Sequence, residues 1–247
     1  AAIGYGRRTS PLSERWERDR QTTALLTYTE NRFTNAIASD DAYRNPLPCE
    51  GVTFELTGYS PTGVADRYQA SDFVEPDPAK PGRLRHKFTD QISYEAIATG
   101  HPCRRPIEWL RTLYRPNDLG RTQNAPLRLL PLEMMESLAL PGESYKLAFT
   151  PGLLDQVFIR DGQKLLPNPA EVLAGGGADH GGYVDLENNG HWWLPSGRIF
   201  YSTGSNDSPT VELGEARAHF FLPRRYRHPF HTQTVSTESL VTYDAYD

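Results

Sequence analysis

The chain has 247 residues, of which 38% are hydrophobic, so a sizeable folded core is expected and general disorder is excluded. The net charge of −5 argues against a protein that holds nucleic-acid backbones on a basic surface. No stretch approaches 18 consecutive apolar residues, which argues against a transmembrane helix and against direct membrane insertion.

Glycine and proline are frequent, with 20 residues of each, and aromatic residues make up 11% of the chain. Because glycine and proline favour turns and aromatic residues favour strands, we expect a mainly β fold with a few short helices. The first residue is not methionine, and the last residues keep a strand-like pattern, so we expect a single fragment of a longer chain. Composition divides the fragment into four parts. These are a polar arm (1–20), a β-rich part (21–126), a part with short helices and loops (127–175), and a second β-rich part with one short helix (176–247).

The first β-rich part contains four strand-like segments. Val52, Phe54 and Leu56 alternate with polar residues, which predicts a half-buried strand. Further strands are predicted at 83–88, 92–96 and 107–115, the last with a helix as the alternative; the prolines in 60–82 indicate a loop before them.

The next part favours short helices. The segment 132–140, LEMMESLAL, has helical composition and lies between two prolines. Thr150 precedes a proline and an apolar stripe, which predicts an N-cap and a helix over 151–159. Asn168 precedes a proline in the same way and predicts a second helix that ends at Gly175.

Strand character returns over 183–203, followed by a predicted helix over 212–221 and an extended segment over 233–247. Cys49 and Cys103 are 54 positions apart and show no disulfide framework, which favours two reduced, buried thiols over a disulfide.

One segment resembles a calcium loop. Asp185, Glu187, Asn189 and Gly190 match the start of that motif, but its twelfth position is Ser196 instead of a bidentate glutamate. The favoured alternative is a tight hairpin turn in which the asparagines and the glycine adopt positive φ angles.

Weaker candidate sites surround this turn. His180 and His191, near Asp179 and Asp185, would need further converging ligands to bind a transition metal. The run of three glycines over 175–177 lacks the spacing of a phosphate-binding loop and is better explained as a helix terminator.

Trp192 and Trp193 suggest a sugar-stacking platform, although adjacent strand residues point to opposite faces, so core packing is favoured. The segment 58–62, GYSPT, departs from the nucleophile motif of hydrolases at its last position. These residues predict no catalytic, cofactor-binding or metal site.

Six long phrases carry a family resemblance: LTYTENRFTNAI, DAYRNPLPCEGVTFELTGY, RTLYRPNDL, ESLALPGESYKLAFTPGLLDQVF, GGYVDLENNGHWWLPSGRIFYS and ARAHFFLPRRYRHPF. Over roughly residues 20 to 247, the chain resembles the middle-to-C-terminal region of the B component of bacterial insecticidal Tc toxin complexes. Tyr243-Asp244 and Tyr246-Asp247 resemble the start of the Rhs/YD-repeat region of that family.

The resemblance implies a secreted section of a β-sheet shell, built with the C component, which encloses the toxic C-terminal part of that partner. It also implies contact with the A-component pore through other parts of the B subunit. It carries over no catalytic residue, because the self-cleaving aspartates of the family belong to the C component. The alternative functions are a secreted β module that binds glycans through Trp192 or Trp193 or calcium through the 185–190 turn, and, less favoured, an enzyme.

Overall fold

The computed structural model describes residues 2–7, 9–88, 90–98, 100–175, 180–232 and 234–244. It confirms the mainly β prediction: a large sheet is accompanied by a few short helices. The strands in the described part of the chain are β1 Ala2–Gly4, β2 Leu25–Phe33, β3 Ile37–Ser39, β4 Ala42–Arg44, β5 Pro48–Thr57, β6 Val74–Pro76, β7 Leu84–His86, β8 Asp90–Gln91, β9 Cys103–Tyr114, β10 Pro141–Phe149, β11 Ile159–Arg160, β12 Gln163–Lys164, β13 Trp192–Phe200, β14 Arg225–Arg227 and β15 Glu238–Leu240.

The described helices are all short. Their bounds are α1 Arg15–Thr22, α2 Ala70–Phe73, α3 Pro151–Val157, α4 Pro169–Leu173 and α5 Pro209–Ala218. Within the described residues, none of them combines the length and the apolar character that crossing a bilayer requires.

Nine strands form one sheet in the order β1-β2-β5-β9-β10-β13-β14-β15, with β8 paired to β9. The pairs from β9 to β15 are antiparallel, whereas β8 runs parallel to β9. Three small hairpins, β3-β4, β6-β7 and β11-β12, lie outside this sheet. Most connections between strands of the large sheet are long and carry the short helices and the hairpins.

The chain forms two compact units. The first comprises Ala1–Glu30 and Val52–Glu108. Its core includes the alternating residues Val52, Phe54 and Leu56, which are all buried as predicted. The intervening residues of β5 are only partly buried, so the period-two pattern correctly assigned the inward face.

The second unit comprises Asn31–Gly51 and Trp109–Asp247, and its described residues include three apolar clusters. The first cluster is centred on Leu119, Tyr201 and Leu213. It packs helix α5 against β13 and the turn that follows β13. The other two contain Cys49 with Met135, and Leu154 with Trp192. Both cysteines of the chain are free and buried, as the sequence predicted.

Several predicted elements are confirmed. Residues 107–114 of the segment 107–115 belong to strand β9, which ends at Tyr114, and the alternative helix is wrong. Helix α3 begins after Thr150, whose Oγ1 accepts a hydrogen bond from the Leu153 amide at 3.1 Å. Helix α4 begins after Asn168 but ends at Leu173, two residues before the predicted terminator.

Other predictions are wrong for local reasons. The segment 132–140 forms no helix, because Glu133 and Ala139 have positive φ angles of 69° and 53° and close tight turns instead. The predicted strand 92–96 is a turn, in which the Ala96 amide donates to the Ser93 carbonyl at 3.1 Å. The polar arm 1–20, for which an entry strand is the alternative, remains a prediction; strand β1 and most of helix α1 lie within it.

Candidate functional site

The 185–190 turn is closed by its own carboxylate. Asp185 Oδ1 accepts from the Asn189 amide at 3.1 Å, and Asp185 Oδ2 accepts from the Gly190 amide at 2.8 Å. Asn188 and Gly190 have positive φ angles of 53° and 79°, and Val184 bridges Trp193 in antiparallel register. These contacts favour the hairpin-turn interpretation of the segment.

The other oxygens of the turn also face nitrogen atoms. Glu187 Oε1 pairs with Arg111 Nη1 at 3.0 Å, and Glu187 Oε2 accepts from Asn189 Nδ2 at 3.0 Å. Ser196, at the twelfth position of the calcium pattern, lies within strand β13. Calcium requires several oxygens that converge on one point, whereas these oxygens are directed toward hydrogen-bond donors.

The candidate metal ligands are separated. His180 lies beside Gly175, whereas His191 Nδ1 is 2.9 Å from Asn189 Oδ1 and its ring faces Trp109. Over the described ranges, which omit Asp179, no group of three or more histidine, cysteine or acidic residues is placed to hold a metal. Gly175 has a positive φ of 86°, as a terminator would, and the rest of the 175–177 run lies outside the described residues.

Both tryptophans of the predicted platform are buried. Trp192 is 7% exposed and packs with Leu154 and Leu173, and Trp193 is 1% exposed. The Trp193 and Trp109 rings form a T-shaped pair with centroids 5.6 Å apart, and the Arg111 guanidinium lies 4.5 Å from the Trp193 centroid. No ring face is left for a sugar, and core packing is the role that the structure assigns to both residues.

Glu50, which the sequence analysis did not single out, is a buried acidic residue that contacts both Trp109 and Arg111. The Glu50 side chain is 2% exposed and accepts hydrogen bonds from Arg111 Nε at 2.7 Å and Trp109 Nε1 at 2.8 Å. Arg32 Nε lies 3.2 Å from its other oxygen. Buried carboxylates need such partners, because an unpaired charge in a low-dielectric interior is strongly unfavourable.

A second buried pair joins the end of β9 to helix α5. Arg115 Nη1 and Nη2 donate to the two oxygens of Glu212 at 2.6 and 2.8 Å, and both side chains are at most 3% exposed. The Tyr201 amide also donates to Glu212, and Arg115 donates to the carbonyls of Leu119 and Pro126. The bidentate Arg115–Glu212 ion pair is therefore a buried charged contact within the first apolar cluster.

Two further pairs lie across neighbouring strands. Glu143 of β10 is directly opposite Arg198 of β13, and Arg198 Nη2 donates to Glu143 Oε2 at 3.0 Å. Glu238 of β15 is opposite Arg227 of β14 and accepts from Arg227 Nε at 2.7 Å and also from Arg225. We call the four acidic residues the paired carboxylates: Glu50, Glu143, Glu212 and Glu238.

The pKa values of this group reflect burial and pairing. Burial acts to raise the pKa of Glu238, but hydrogen bonds from Ser205, Arg227 and Arg225 outweigh it and lower the value to about 2. Burial and the neighbouring Glu143 raise the pKa of Tyr145, whose hydroxyl donates to Glu143 Oε2 at 2.6 Å. Glu238 therefore stays ionised and Tyr145 stays neutral at physiological pH, which suits fixed structural contacts.

Among the open clefts formed by described residues of the second unit, two have volumes of about 210 and 200 Å³. The residues that line the first include Pro48, Glu50, Gly51 and Leu110. The second, which we call the histidine cleft, is bordered by Glu143, Arg198, Arg227, His228 and His231. Neither cleft contains a residue that the sequence singled out as catalytic.

Comparison with known proteins gives distant likenesses only. No known protein family and no curated protein matches the sequence. The structure is similar to crystal structures of TcdB2–TccC3–Cdc42, of TcdB2–TccC3 without its hypervariable C-terminal region, and of TcdB2–TccC3, with identities of 16, 14 and 15% and TM-scores of 0.44, 0.44 and 0.43. Each likeness covers 92% of this chain but 9% of the solved chain, so the chain spans less than a tenth of the length of those chains.

Proposed function

We propose that this chain is a non-catalytic structural segment of a toxin-complex B subunit. In this role it forms part of the wall of a hollow β-sheet shell that encloses a cytotoxic effector until translocation. The sequence phrases that resemble the B component of Tc toxins indicate this role. The nine-stranded sheet supplies the type of element from which such a wall is built.

The observation that carries the proposal is the placement of the paired carboxylates. Three of them join strands that are neighbours in the sheet: β5 to β9, β10 to β13, and β14 to β15. Cross-strand pairs of opposite charge stabilise one register, and a slip of one residue would separate every pair. The charges of the sheet thus serve to hold its strands in place.

The same contacts support a role without catalysis. A general acid or base needs a pKa near the working pH and access to a substrate. Glu50, Glu212 and Glu238 are instead buried and engaged by arginines, and the turn at 185–190 uses its carboxylates internally. A binding module for calcium or glycans receives no support from this arrangement.

The proposal includes partners and a location. The C component would complete the shell and provide the enclosed effector, and the A-component pore would contact other parts of the B subunit. The acidic net charge of −5 fits a protein that binds neither nucleic acid nor an anionic membrane surface. The assembly would act outside the producing cell as a secreted virulence factor.

Protection of an effector from protease tests the proposal in the longer protein that contains this chain, assembled with its effector-bearing partner. Glu212→Gln leaves the Arg115 charge buried without its partner and should loosen the wall, so that the effector is digested faster than in the unmodified assembly. Asp19→Asn is the control, because its ion pair with Arg15 is exposed. Equal rates of effector digestion in all three assemblies would contradict a wall function. So would an assembly that lacks this region and still has its effector digested no faster than the unmodified assembly.

A further inference from the structure

The histidine cleft gathers hydrogen-bond donors that the structural pairs leave available. His228 and His231 lie in the connection between β14 and β15, and Arg198 and Arg227 lie in strands β13 and β14. Glu143 is the acidic residue at the border of the cleft, and it is already held by Arg198 Nη2 and by a tyrosine hydroxyl. The cleft therefore has several side chains that can donate hydrogen bonds, whereas the carboxylate of Glu143 already accepts hydrogen bonds from the protein.

The backbone fixes the tautomer of both imidazoles. His228 Nδ1 accepts from the Phe230 amide at 3.2 Å, and His231 Nδ1 accepts from the Thr237 amide at 3.1 Å. A ring nitrogen that accepts a hydrogen bond carries no proton, so each neutral ring carries its proton on Nε2. Within the described residues neither Nε2 has a hydrogen-bond partner, and both are donors.

The charges around the cleft do not cancel. Arg198 is balanced by Glu143, but Arg225 and Arg227 share the single carboxylate of Glu238. Among the described residues, one guanidinium charge is therefore left without an acidic partner of its own. Arg227 uses Nε for Glu238 and Nη2 for the Ser205 carbonyl, so that Nη1 keeps N–H groups for another acceptor.

We propose that the histidine cleft binds a tetrahedral oxyanion, a phosphate or sulfate group, either free or carried by a larger ligand. The two imidazole Nε2–H groups and the Arg227 guanidinium are its donors. Three side chains with fixed donors suit the three or four oxygens of such a group better than the two oxygens of a carboxylate. The excess guanidinium charge favours a dianion, and the cleft volume of about 200 Å³ admits one.

Histidine side-chain NMR during a sulfate titration of the 247-residue chain at constant ionic strength tests this site. We expect saturable shifts of the His228 and His231 ring signals, with no such shift for His180, and weaker or absent shifts when acetate replaces sulfate. The double variant His228→Ala/His231→Ala should bind sulfate at least about tenfold more weakly, because two hydrogen bonds to a charged acceptor are lost. The matched control His180→Ala should bind sulfate as the unmodified chain does.

Inorganic phosphate, tested in parallel, should displace sulfate from the same two residues. Ring signals that do not saturate with sulfate in the unmodified chain would overturn the site, and this result does not depend on any variant being folded. Acetate shifts as large and as saturable as those of sulfate would overturn the assignment to a tetrahedral group. Neither result bears on the effector-protection experiment, so the oxyanion site and the wall function can fail separately.

Discussion

Four acidic side chains that lie largely inside the second unit define the chemistry of this chain at the scale of single residues. Glu50, Glu143, Glu212 and Glu238 each accept hydrogen bonds from arginine, and their side chains are between 2 and 13% exposed. A buried ion pair contributes little net stability compared with a well-packed apolar pair, but loss of one partner leaves an uncompensated charge. These residues therefore specify the arrangement of strands and are sensitive to single substitutions.

Glu212→Gln should lower the free energy of unfolding by about 3 kcal/mol or more, because it leaves Arg115 charged and buried without its partner. Urea unfolding of the 247-residue chain measures this change. Asp19→Asn, at an ion pair whose side chains are 88 and 68% exposed, should cost less than about 0.5 kcal/mol. The double variant Arg115→Met/Glu212→Leu should recover part of the loss, and equal losses for Glu212→Gln and Asp19→Asn would contradict the buried-pair argument.

Stability should depend on pH through Glu238, whose pKa is lowered from 4.5 to about 2 in the folded chain. A carboxyl group whose pKa is lowered by folding stabilises the fold fully at a pH above its pKa in the unfolded chain. This contribution is lost as the pH falls from 4.5 toward 2. The shift corresponds to about 3 kcal/mol at neutral pH. Glu238→Gln removes this contribution, so the difference in unfolding free energy between the two chains should shrink with acidification; a difference that is the same at every pH would contradict it.

The sequence could not predict these residue-scale features. Arg111 and Glu50 are 61 positions apart, and Arg115 and Glu212 are 97 positions apart, so only the tertiary fold brings each pair together. In the sequence each glutamate has the character of a solvated surface charge. The signal that existed was weak: Glu50 adjoins Cys49 at the start of an alternating strand, and both are buried.

At the scale of elements, local chemistry determines where short helices begin. The Thr150 hydroxyl caps α3 by accepting from the Leu153 amide, and Ser208 caps α5 in the same way through the Val211 amide. Asn168 precedes α4 without capping it, since its side-chain amide donates to Glu171 instead. Thr150, Ser208 and Asn168 all precede a proline. The sequence pattern alone therefore does not distinguish a residue whose side chain caps the helix from one whose side chain does not.

Thr150→Ala should lower the free energy of unfolding by about 1 kcal/mol through loss of the cap, whereas Thr150→Ser should retain most of it. Asn168→Ala is the matched control and should cost less than half as much, because no capping bond is lost. Thermal or urea unfolding of the three variants beside the unmodified chain measures these differences. An Asn168→Ala loss as large as that of Thr150→Ala would show that capping is not the cause.

Sequence patterns predicted strands and helices best where one local rule acted alone. Alternation placed Val52, Phe54 and Leu56 correctly, and the hydroxyl–proline pair located α3. Helical composition failed at 132–140, because tight turns with positive φ occupy the space between β9 and β10. The nine-residue strand β10, in a part expected to hold short helices and loops, became recognisable only through its pairing with β9 and β13.

At the scale of the whole molecule, the sheet order is the feature that the proposed wall function needs most. It begins with β1 and ends with β15, and the register from β9 onward is antiparallel throughout. Strands at the margin of a sheet expose backbone donors and acceptors, which secreted β proteins commonly cover or pair. In a shell wall, neighbouring strands of the longer protein would pair with these margins.

Imaging of the proposed toxin-complex B subunit together with its proposed effector-bearing partner tests the wall function most directly. The account predicts that this region is continuous with the wall of a closed cavity, that β1 and β15 are each hydrogen-bonded to strands from outside the 247 residues, and that the effector lies within. A separate module that projects from the particle, with unpaired margins and no enclosed passenger, would contradict the account.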